Sequence, residues 1–322
     1  MNWVRWRHRL EYLAFRAVEC IVLMLSPPRG RELAQFLAFI VLRMIPRRLT
    51  RHDVARENLR QALGPDVSDA VIDEHIRGMW VHLFRVVFEI VQLRRKVRSE
   101  NCLNYVEYGA GRQACWRAFN TGRPVILVSG HFGNWEVANT AFGLFGYPMG
   151  VVARDLDNPY LHDWFKHFRE HTGHRLFSKE GASQQMLPQL AQRGHVALLC
   201  DQDAGPRGLF VDFFGKPAST FKSIALLALE NRALICVGGA IRLPDNYRRE
   251  DSIGPAWSKF QLICEEIIDP EAIDSSDPVG EITRRYTTAL ERLIRRAPEQ
   301  YFWVHRRWKS VPQQRRATRK AA

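Results

Sequence analysis

A histidine and a glutamate five positions apart follow a short apolar run in the stretch "RPVILVSGHFGNWEVA". His131 comes directly after the run, and Glu136 lies at the start of a segment with helical spacing of apolar residues. Five residues of a regular helix correspond to about 140° of rotation, so the two side chains meet only if His131 lies in the turn before the helix. A carboxylate bound to one imidazole nitrogen leaves the other nitrogen free as a base. The spacing predicts that Glu136 orients His131; the alternative is a capping glutamate beside an unrelated loop histidine.

Two aspartates end a second apolar run, "HVALLCDQDAG". Asp201 and Asp203 are separated by one residue. An Asp-x-Asp after a strand is able to bind a metal in a nucleotide-sugar transferase, or to position an arginine or a substrate. The alternative is a polar turn, in which aspartate and glycine are common.

Basic side chains between these two motifs could bind an anion. Arg154 follows the apolar run "GVVA", and Arg169 lies in the helical stretch "HDWFKHFREH". Either guanidinium could hold a phosphate or carboxylate through paired hydrogen bonds, or form an ordinary surface ion pair. His167 and His171 have the spacing of metal ligands on one helix face, but without the glutamate of an HExxH motif a solvated face is favoured.

Short apolar runs alternate with helical stretches from about residue 120, which is typical of an α/β protein. The predicted strands are "PVILVSG", "YPMGVVAR", "HVALLCDQD", "ALICVGGAI" and "KFQLICEEII". We expect a central mixed sheet covered by helices, preceded by a helical, basic N-terminal region. The predicted organisation is a membrane-associating region over 1–50 and a catalytic domain over 51–322. Ligands of such sheets bind at the carboxyl ends of the strands, where His131 falls.

The first 50 residues combine apolar runs with arginine and tryptophan. The runs "YLAFRAVECIVLMLSPP" and "LAQFLAFIVLRMIP" are both shorter than the roughly 20 clean apolar residues of a spanning helix. Tryptophan, leucine and arginine together favour helices that lie in a membrane interface. The alternative is a pair of amphipathic helices packed on the domain.

The overall charge points to an anionic partner. The formal net charge is +13 over 322 residues, and more basic residues follow position 305. Nucleic acid is disfavoured because no helix-turn-helix or RNA-recognition motif is present, so acidic lipid or simple solubility explains the basic tail better. Six cysteines are scattered without CxxC spacing, which argues against a zinc cage or a disulfide framework and suits a reducing compartment.

Taken together, four segments resemble the lipid A biosynthesis acyltransferase family in order and spacing. They are "SGHFGNWEVA", "ARDLDNPYLHDWFKHFRE", "DQDAGPRGLFVDFFGKPAST" and "PEQYFWVHRRWK". The resemblance implies an enzyme of the cytoplasmic face of the inner membrane that moves an acyl chain from acyl carrier protein, or sometimes acyl-CoA, to a hydroxyl of a phosphorylated glycolipid. Many members begin with a clean spanning segment, whereas here Arg16 and Glu19 interrupt the apolar run.

The resemblance also implies roles for individual residues. His131 is expected to act as the base and Glu136 to orient it, while Arg169 neutralises substrate or oxyanion charge and Asp201 holds Arg169 in place. Substrate-binding candidates are Arg154, Asp203 and Asn134. Neither a metal nor a cofactor is expected, because a thioester is already activated. Among the aromatic residues Phe132, Trp135, Phe142, Phe145, Phe213 and Phe214, some could line an acyl tunnel, although core packing is favoured for most.

Other functions remain open from the sequence. The acceptor could be a lipid A precursor, a lysophospholipid or another glycolipid. A more distant alternative is a metal-dependent glycosyltransferase that uses Asp201 and Asp203, and a third is a non-catalytic protein that binds acidic membranes through its basic ends.

Overall fold

The computed structural model describes residues 3–247 and 257–312, so the basic tail beyond residue 312 lies outside the described part of the chain. The strands are β1 (Val106–Tyr108), β2 (Val125–Ser129), β3 (Met149–Ala153), β4 (Arg175–Ser178), β5 (His195–Leu199), β6 (Leu209–Phe213), β7 (Lys216–Thr220), β8 (Leu234–Arg242) and β9 (Phe260–Ile268). Seven of these strands form one sheet in the order β1-β9-β8-β2-β5-β3-β4, and β6 and β7 form a separate antiparallel hairpin.

Helices cover the sheet and precede it. They are α1 (Trp3–Met24), α2 (Pro27–Met44), α3 (Arg47–Thr50), α4 (His52–Leu63), α5 (Asp69–Lys96), α6 (Cys102–Tyr105), α7 (Arg112–Phe119), α8 (Trp135–Leu144), α9 (Pro159–Glu170), α10 (Ala182–Ala191), α11 (Ser223–Asn231) and α12 (Pro278–Arg295). Short 3-10 turns span Pro270–Ala272 and Pro298–Gln300. The predicted class, a mixed α/β sheet with covering helices and a helical N-terminal region, is confirmed.

The sheet is mixed because β9 runs against β8, whereas β8, β2, β5, β3 and β4 all run parallel. All five residues of β2 are buried, as expected for a parallel strand with helices on both faces. The five apolar runs predicted as strands became β2, β3, β5, β8 and β9. Short β1 and β4 were not predicted, because three or four residues carry too little pattern.

The register of β2 and β5 decides what lies at the sheet edge. Ser129 pairs with Leu199, and the ladder continues with the Cys200 amide donating to the Ser129 carbonyl at 2.8 Å. His131 and Asp201 each follow two residues after that last pair. Because parallel strands end at the same edge, the register brings these two residues together.

The helices α1 and α2 pack against α5, and α1 also contacts α9. Val22, Ala34 and Phe88 form part of a small apolar core between these helices. The Gln92 side chain of α5 donates to the Val22 carbonyl at 2.8 Å, and the indole of Trp164 donates to Glu19 at 3.2 Å. Within the described residues, no helix has the length and apolar character needed to cross a membrane.

The turn that follows β2 needs a glycine. Gly133 has a φ of +55°, and a Cβ placed on it would lie 2.0 Å from the Ala240 carbonyl oxygen. Its amide donates to the Gln300 carbonyl at 2.9 Å, and the next amide, of Asn134, donates to Ala240 at 2.8 Å. A residue with a side chain would therefore break the contact between this turn and the end of β8.

We expect Gly133→Ala to lower the free energy of unfolding by about 3 kcal/mol or more. An alanine would be strained at this left-handed φ, and its Cβ would also clash with the Ala240 carbonyl oxygen. Gly146→Ala is the matched control: its φ is +86°, but nothing lies within 4 Å of the added Cβ. The control should lose only about 1 kcal/mol. Chemical denaturation measures both, and equal losses would contradict the close approach at Gly133.

Candidate active site

The imidazole of His131 is held by the carboxylate of Asp201. The His131 backbone N–H donates to Asp201 Oδ2 at 2.9 Å. The ring nitrogen Nδ1 is hydrogen-bonded to Asp201 Oδ1, also at 2.9 Å. Asp201 is buried, whereas about a fifth of the His131 side chain is exposed. Gly130 makes room for this arrangement, since a Cβ placed on it would lie 3.1 Å from the Asp201 Cβ.

The charge of Asp201 fixes the imidazole tautomer. Burial alone raises the pKa of this carboxyl group, but the interactions with His131 outweigh it and bring the pKa to about 2. An ionised carboxylate only accepts hydrogen bonds, so Nδ1 of His131 is the donor. The lone pair of the neutral ring then lies on Nε2, which makes His131 suited to take a proton from a substrate.

The carboxylate of Glu136 binds Arg169 instead of His131. Arg169 Nη2 donates to Glu136 Oε1 at 2.6 Å, and its Nε donates to the two carboxylate oxygens at 3.1 and 3.3 Å. Burial alone lowers the pKa of Arg169, but Glu136 reverses this and the pKa is raised. The expectation that Glu136 orients His131 and Asp201 holds Arg169 was therefore wrong in its pairing: the two carboxylates exchange partners.

The physical reason lies in the backbone. Glu136 is in the first turn of α8, which begins at Trp135, and its side chain is directed toward α9, where Arg169 lies. Asp201 follows the neighbouring parallel strand and reaches the histidine across the sheet edge. The spacing of the H-x4-E motif within one segment could not show that Glu136 would bind Arg169 or that Asp201 would bind His131.

Asn134, predicted to bind substrate, instead caps α8. Its Oδ1 accepts from the Val137 amide at 3.1 Å, and its Nδ2 donates to Glu89 of α5 at 2.8 Å. Arg242 of β8 donates to both oxygens of Glu89 at 2.6 and 2.5 Å. Asn134 is fully buried, so the prediction that it binds substrate was wrong. Its side-chain hydrogen bonds hold the turn in position.

A neutral histidine supports the same turn from behind. Burial and the neighbouring Arg242 keep the pKa of His82 well below its usual value. Its Nδ1 accepts from Arg242 at 2.5 Å, and its Nε2 donates to the Gly133 carbonyl at 3.0 Å. The turn that carries His131 is thus fixed to both α5 and β8.

Asp203 also has a structural environment. Its carboxylate accepts from the Gly205 amide at 3.1 Å, from the Ser310 amide at 3.2 Å and from the Ser310 hydroxyl at 2.9 Å. Among the described residues, no group of potential metal ligands includes Asp203. The described residues therefore do not show the Asp201–Asp203 metal pair, and Asp203 forms a turn that ties β5 to the C-terminal segment. Its contact with substrate stays a prediction.

Arg154 lies at the rim of a cavity, with its side chain 80 % exposed and only a loose contact of 3.8 Å to Asp157. Its exposure leaves the guanidinium accessible, and its contact with a substrate anion stays a prediction. His167 and His171 do not form a ligand pair: the ring Nδ1 atoms contact the carbonyls of Asp163 and Phe168, respectively. This agrees with the solvated-face interpretation of that helix.

The cavity itself has a volume of about 670 Å³ and extends from the sheet edge along helices α7, α8 and α9. His131, Glu136 and Arg169 are among the residues that line it. Its walls are otherwise mainly apolar, and they include Trp135, Phe142 and Phe145. The other aromatic residues proposed for a tunnel, Phe132, Phe213 and Phe214, are buried in the core.

One neighbour of the histidine was missed from the sequence. The ring centroid of His305 lies 4.8 Å from that of His131, and its Nε2 is 3.4 Å from the Gln202 side chain. Burial brings the pKa of His305 down to about 4, so it is neutral near neutral pH. The sequence did offer a sign of His305, because it lies in "PEQYFWVHRRWK", one of the four segments that resemble the family; no role was assigned to it there. Together His131, Asp201 and His305 offer atoms within 4.8 Å that could bind a cation.

Comparisons with known proteins find several similar acyltransferases. Over 193 residues the chain is 29 % identical to the lipid A biosynthesis lauroyltransferase of Escherichia coli K12, covering 59 % of this chain and 58 % of that protein. It is 27 % identical over 199 residues to the palmitoleoyltransferase of lipid A biosynthesis from the same organism, covering 61 % and 59 %. It is also 26 % identical over 187 residues to the phosphatidylinositol mannoside acyltransferase of Mycolicibacterium smegmatis, covering 56 % and 60 %.

These alignments span about three-fifths of the length of each curated relative. The sequence model of the bacterial lipid A biosynthesis acyltransferases matches a much longer part of this chain, residues 6–310. That range contains His131, Asp201, the Glu136–Arg169 pair and the whole cavity. The chain therefore belongs to the bacterial lipid A biosynthesis acyltransferase family.

Proposed function

We propose that this protein is an O-acyltransferase that transfers a fatty acyl chain from a thioester to a hydroxyl of a phosphorylated glycolipid. The observation that carries the proposal is the Asp201–His131 pair, whose histidine lines a mainly apolar cavity. His131 Nε2 takes the proton of the acceptor hydroxyl as its oxygen attacks the thioester carbonyl. An ester C–O bond forms, the C–S bond breaks, and the departing thiolate receives the proton from His131.

Asp201 serves this reaction by stabilising the imidazolium that forms when His131 takes the proton. Its carboxylate is already ionised and oriented, so no reorganisation is needed during the reaction. Glu136 acts one step further away, as a positioning residue. It holds the guanidinium of Arg169 beside the cavity, where a fixed positive charge stabilises the developing oxyanion or a substrate phosphate.

The donor is the thioester of acyl carrier protein or of coenzyme A, since both present an acyl chain on an anionic carrier. The apolar walls of the cavity suit the chain, and a cavity of about 670 Å³ lies within the usual range of ligand sites. The formal net charge of +13 favours either carrier electrostatically.

The acceptor has two candidates of the same chemical class. A lipid A precursor fits the names of the Escherichia coli relatives, and another glycolipid fits the mannoside acyltransferases of mycobacteria. In both cases a sugar hydroxyl would approach His131 while an anionic group meets Arg154. A lysophospholipid acceptor lacks support of this kind.

An apolar stripe on the N-terminal helices supports attachment to a membrane. Its exposed side chains lie three or four residues apart along α1, at Trp3, Trp6, Leu10 and Leu13, and continue at Ile21 and Met24. Phe36 and Phe39 of α2 are exposed as well. Helices of this type, flanked by arginines, lie in the interface of anionic bilayers, and we place the enzyme on the cytoplasmic face of the inner membrane.

The first test separates the two carboxylates. His131→Ala should lower kcat by about 10²–10⁴-fold, and Asp201→Asn should lower it comparably with little change in KM. Glu136→Gln should cost less, because its amide oxygen still accepts from Arg169. Acyl transfer from acyl carrier protein and coenzyme A donors measures all three, with Asp212→Asn on the hairpin as the control.

Circular dichroism and thermal unfolding would establish that each variant is folded, since both carboxylates are buried. If Glu136→Gln were as inactive as His131→Ala while Asp201→Asn kept full activity, the assignment of Asp201 would be refuted.

A second test concerns the anionic acceptor. Arg154→Ala should raise the KM for a phosphorylated glycolipid about tenfold, because one charge-assisted contact is lost, and should leave kcat nearly unchanged. Arg117→Ala, an exposed arginine that does not line the cavity, is the matched control. An equal rise in KM for a dephosphorylated acceptor would show that Arg154 does not meet phosphate.

The membrane proposal is tested by flotation with vesicles that contain anionic lipid. A Leu10→Glu and Leu13→Glu double variant should bind such vesicles much more weakly, because it places charge in the apolar stripe, while transfer in detergent micelles persists. Leu187→Glu changes an exposed leucine of α10 and should bind normally. Unchanged binding of the double variant would rule out this stripe as the attachment surface.

A further inference from the structure

Three cysteines that are far apart in the sequence meet at one wall of the cavity. Cys115 of α7, Cys236 of β8 and Cys264 of β9 are all free thiols. The Sγ atoms of Cys236 and Cys264 are 3.6 Å apart, and those of Cys236 and Cys115 are 3.9 Å apart. All three sulfur atoms lie within 4.8 Å of one another.

The three cysteines are not close together in any one segment of the sequence. They are brought together by the antiparallel pairing of β8 with β9 and by the packing of α7 on that pair. The residues around the thiols are apolar and include Phe119, Leu127 and Ile267. A β-bulge between Val237 and Gly238 lies beside Cys236 on the same strand.

The distances between the sulfur atoms match those of a thiolate metal site. Sulfur ligands lie about 2.3 Å from Zn²⁺ in tetrahedral geometry, which places neighbouring sulfur atoms about 3.8 Å apart. The observed 3.6 and 3.9 Å lie on either side of that value. Three sulfur ligands also select soft cations over Mg²⁺ or Ca²⁺, which prefer oxygen.

We propose that Cys115, Cys236 and Cys264 form a binding site for a soft divalent cation such as Zn²⁺ or Cd²⁺. On binding, three S–H bonds each lose a proton to solvent and three metal–sulfur bonds form. Three thiolates and one divalent ion leave a net charge of −1, with no change of oxidation state. The cluster therefore supplies three of the four tetrahedral positions in a nearly preformed arrangement, and a water molecule would occupy the fourth.

Occupancy would change the cavity that holds the acyl chain, a consequence that rests on the proposed function. The three thiols and His131 line the same cavity. A bound ion would replace an apolar patch of its wall with a charged complex, which is unfavourable for a neighbouring hydrocarbon chain. Soft cations would thus inhibit acyl transfer by competing with the acyl donor.

Binding is measured first, independently of activity. The reduced full-length protein is titrated with Cd²⁺ while the ultraviolet charge-transfer absorption of cadmium thiolate is followed, and native mass spectrometry gives the stoichiometry. One ion per chain is expected to give this absorption. An ion held by His131, Asp201 and His305 would not give it, because that group contains no sulfur. Loss of a contact in the outer shell of a metal site weakens metal binding by ~10–100-fold. Cys115→Ala removes a direct ligand, so it should weaken Cd²⁺ binding by more than that.

Cys115 is the residue of choice because it is only partly buried, whereas Cys236 is fully buried and its variants risk misfolding. Cys102→Ala and Cys20→Ala, one buried and one exposed thiol outside the group, are the controls and should bind as the wild type does. Equal affinity in Cys115→Ala, or no charge-transfer band in the wild type, would overturn the site.

The effect on the cavity needs a second measurement. Cd²⁺ should raise the apparent KM for the acyl donor in the wild type and not in Cys115→Ala. Tight binding without any change in transfer would contradict the link to the acyl chain. If no acyl transfer is detected even without Cd²⁺, the proposed function fails while the binding result still decides the metal site.

Discussion

The buried carboxylate of Asp201 is the constraint on which the rest of the site depends. An ionised group with almost no exposure is stable only if its oxygens are fully hydrogen-bonded, and His131 supplies a donor to each of them from its backbone and its ring. The interaction is therefore mutual: His131 compensates the loss of water around Asp201, and Asp201 fixes the position and tautomer of the imidazole. It also requires Gly130, because a side chain there would crowd the carboxylate.

Two further buried ion pairs hold the elements around this contact. Glu89 and Arg242 join α5 to β8 and anchor the turn through Asn134, and Glu136 and Arg169 join α8 to α9 at the cavity. In each pair the removal of one partner would leave a buried charge without compensation, which costs more than the intact pair contributes. The site is thus surrounded by charges whose partners are fixed by the surrounding helices and strands, as a preorganised site requires.

Much of the fold could be predicted from the sequence, because the five short apolar runs after residue 120 had clear boundaries and became strands of the sheet. The position of His131 and Asp201 at the ends of strands could also be predicted from the sequence. Their contact was not, since it depends on β5 lying next to β2 in a particular register, which no local pattern specifies. The same limit explains why Glu136 was paired wrongly and why His305 and the three cysteines were missed: each depends on neighbours distant in the sequence.

The tautomer of His131 tests the central claim most directly. Nitrogen NMR of the imidazole should show Nδ1 protonated and Nε2 unprotonated in the neutral ring of the wild type. That pattern should persist in Glu136→Gln and be altered in Asp201→Asn, because only the latter changes the acceptor of the Nδ1 proton. A proton on Nε2 in the wild type, or a pattern lost in Glu136→Gln but kept in Asp201→Asn, would contradict the account.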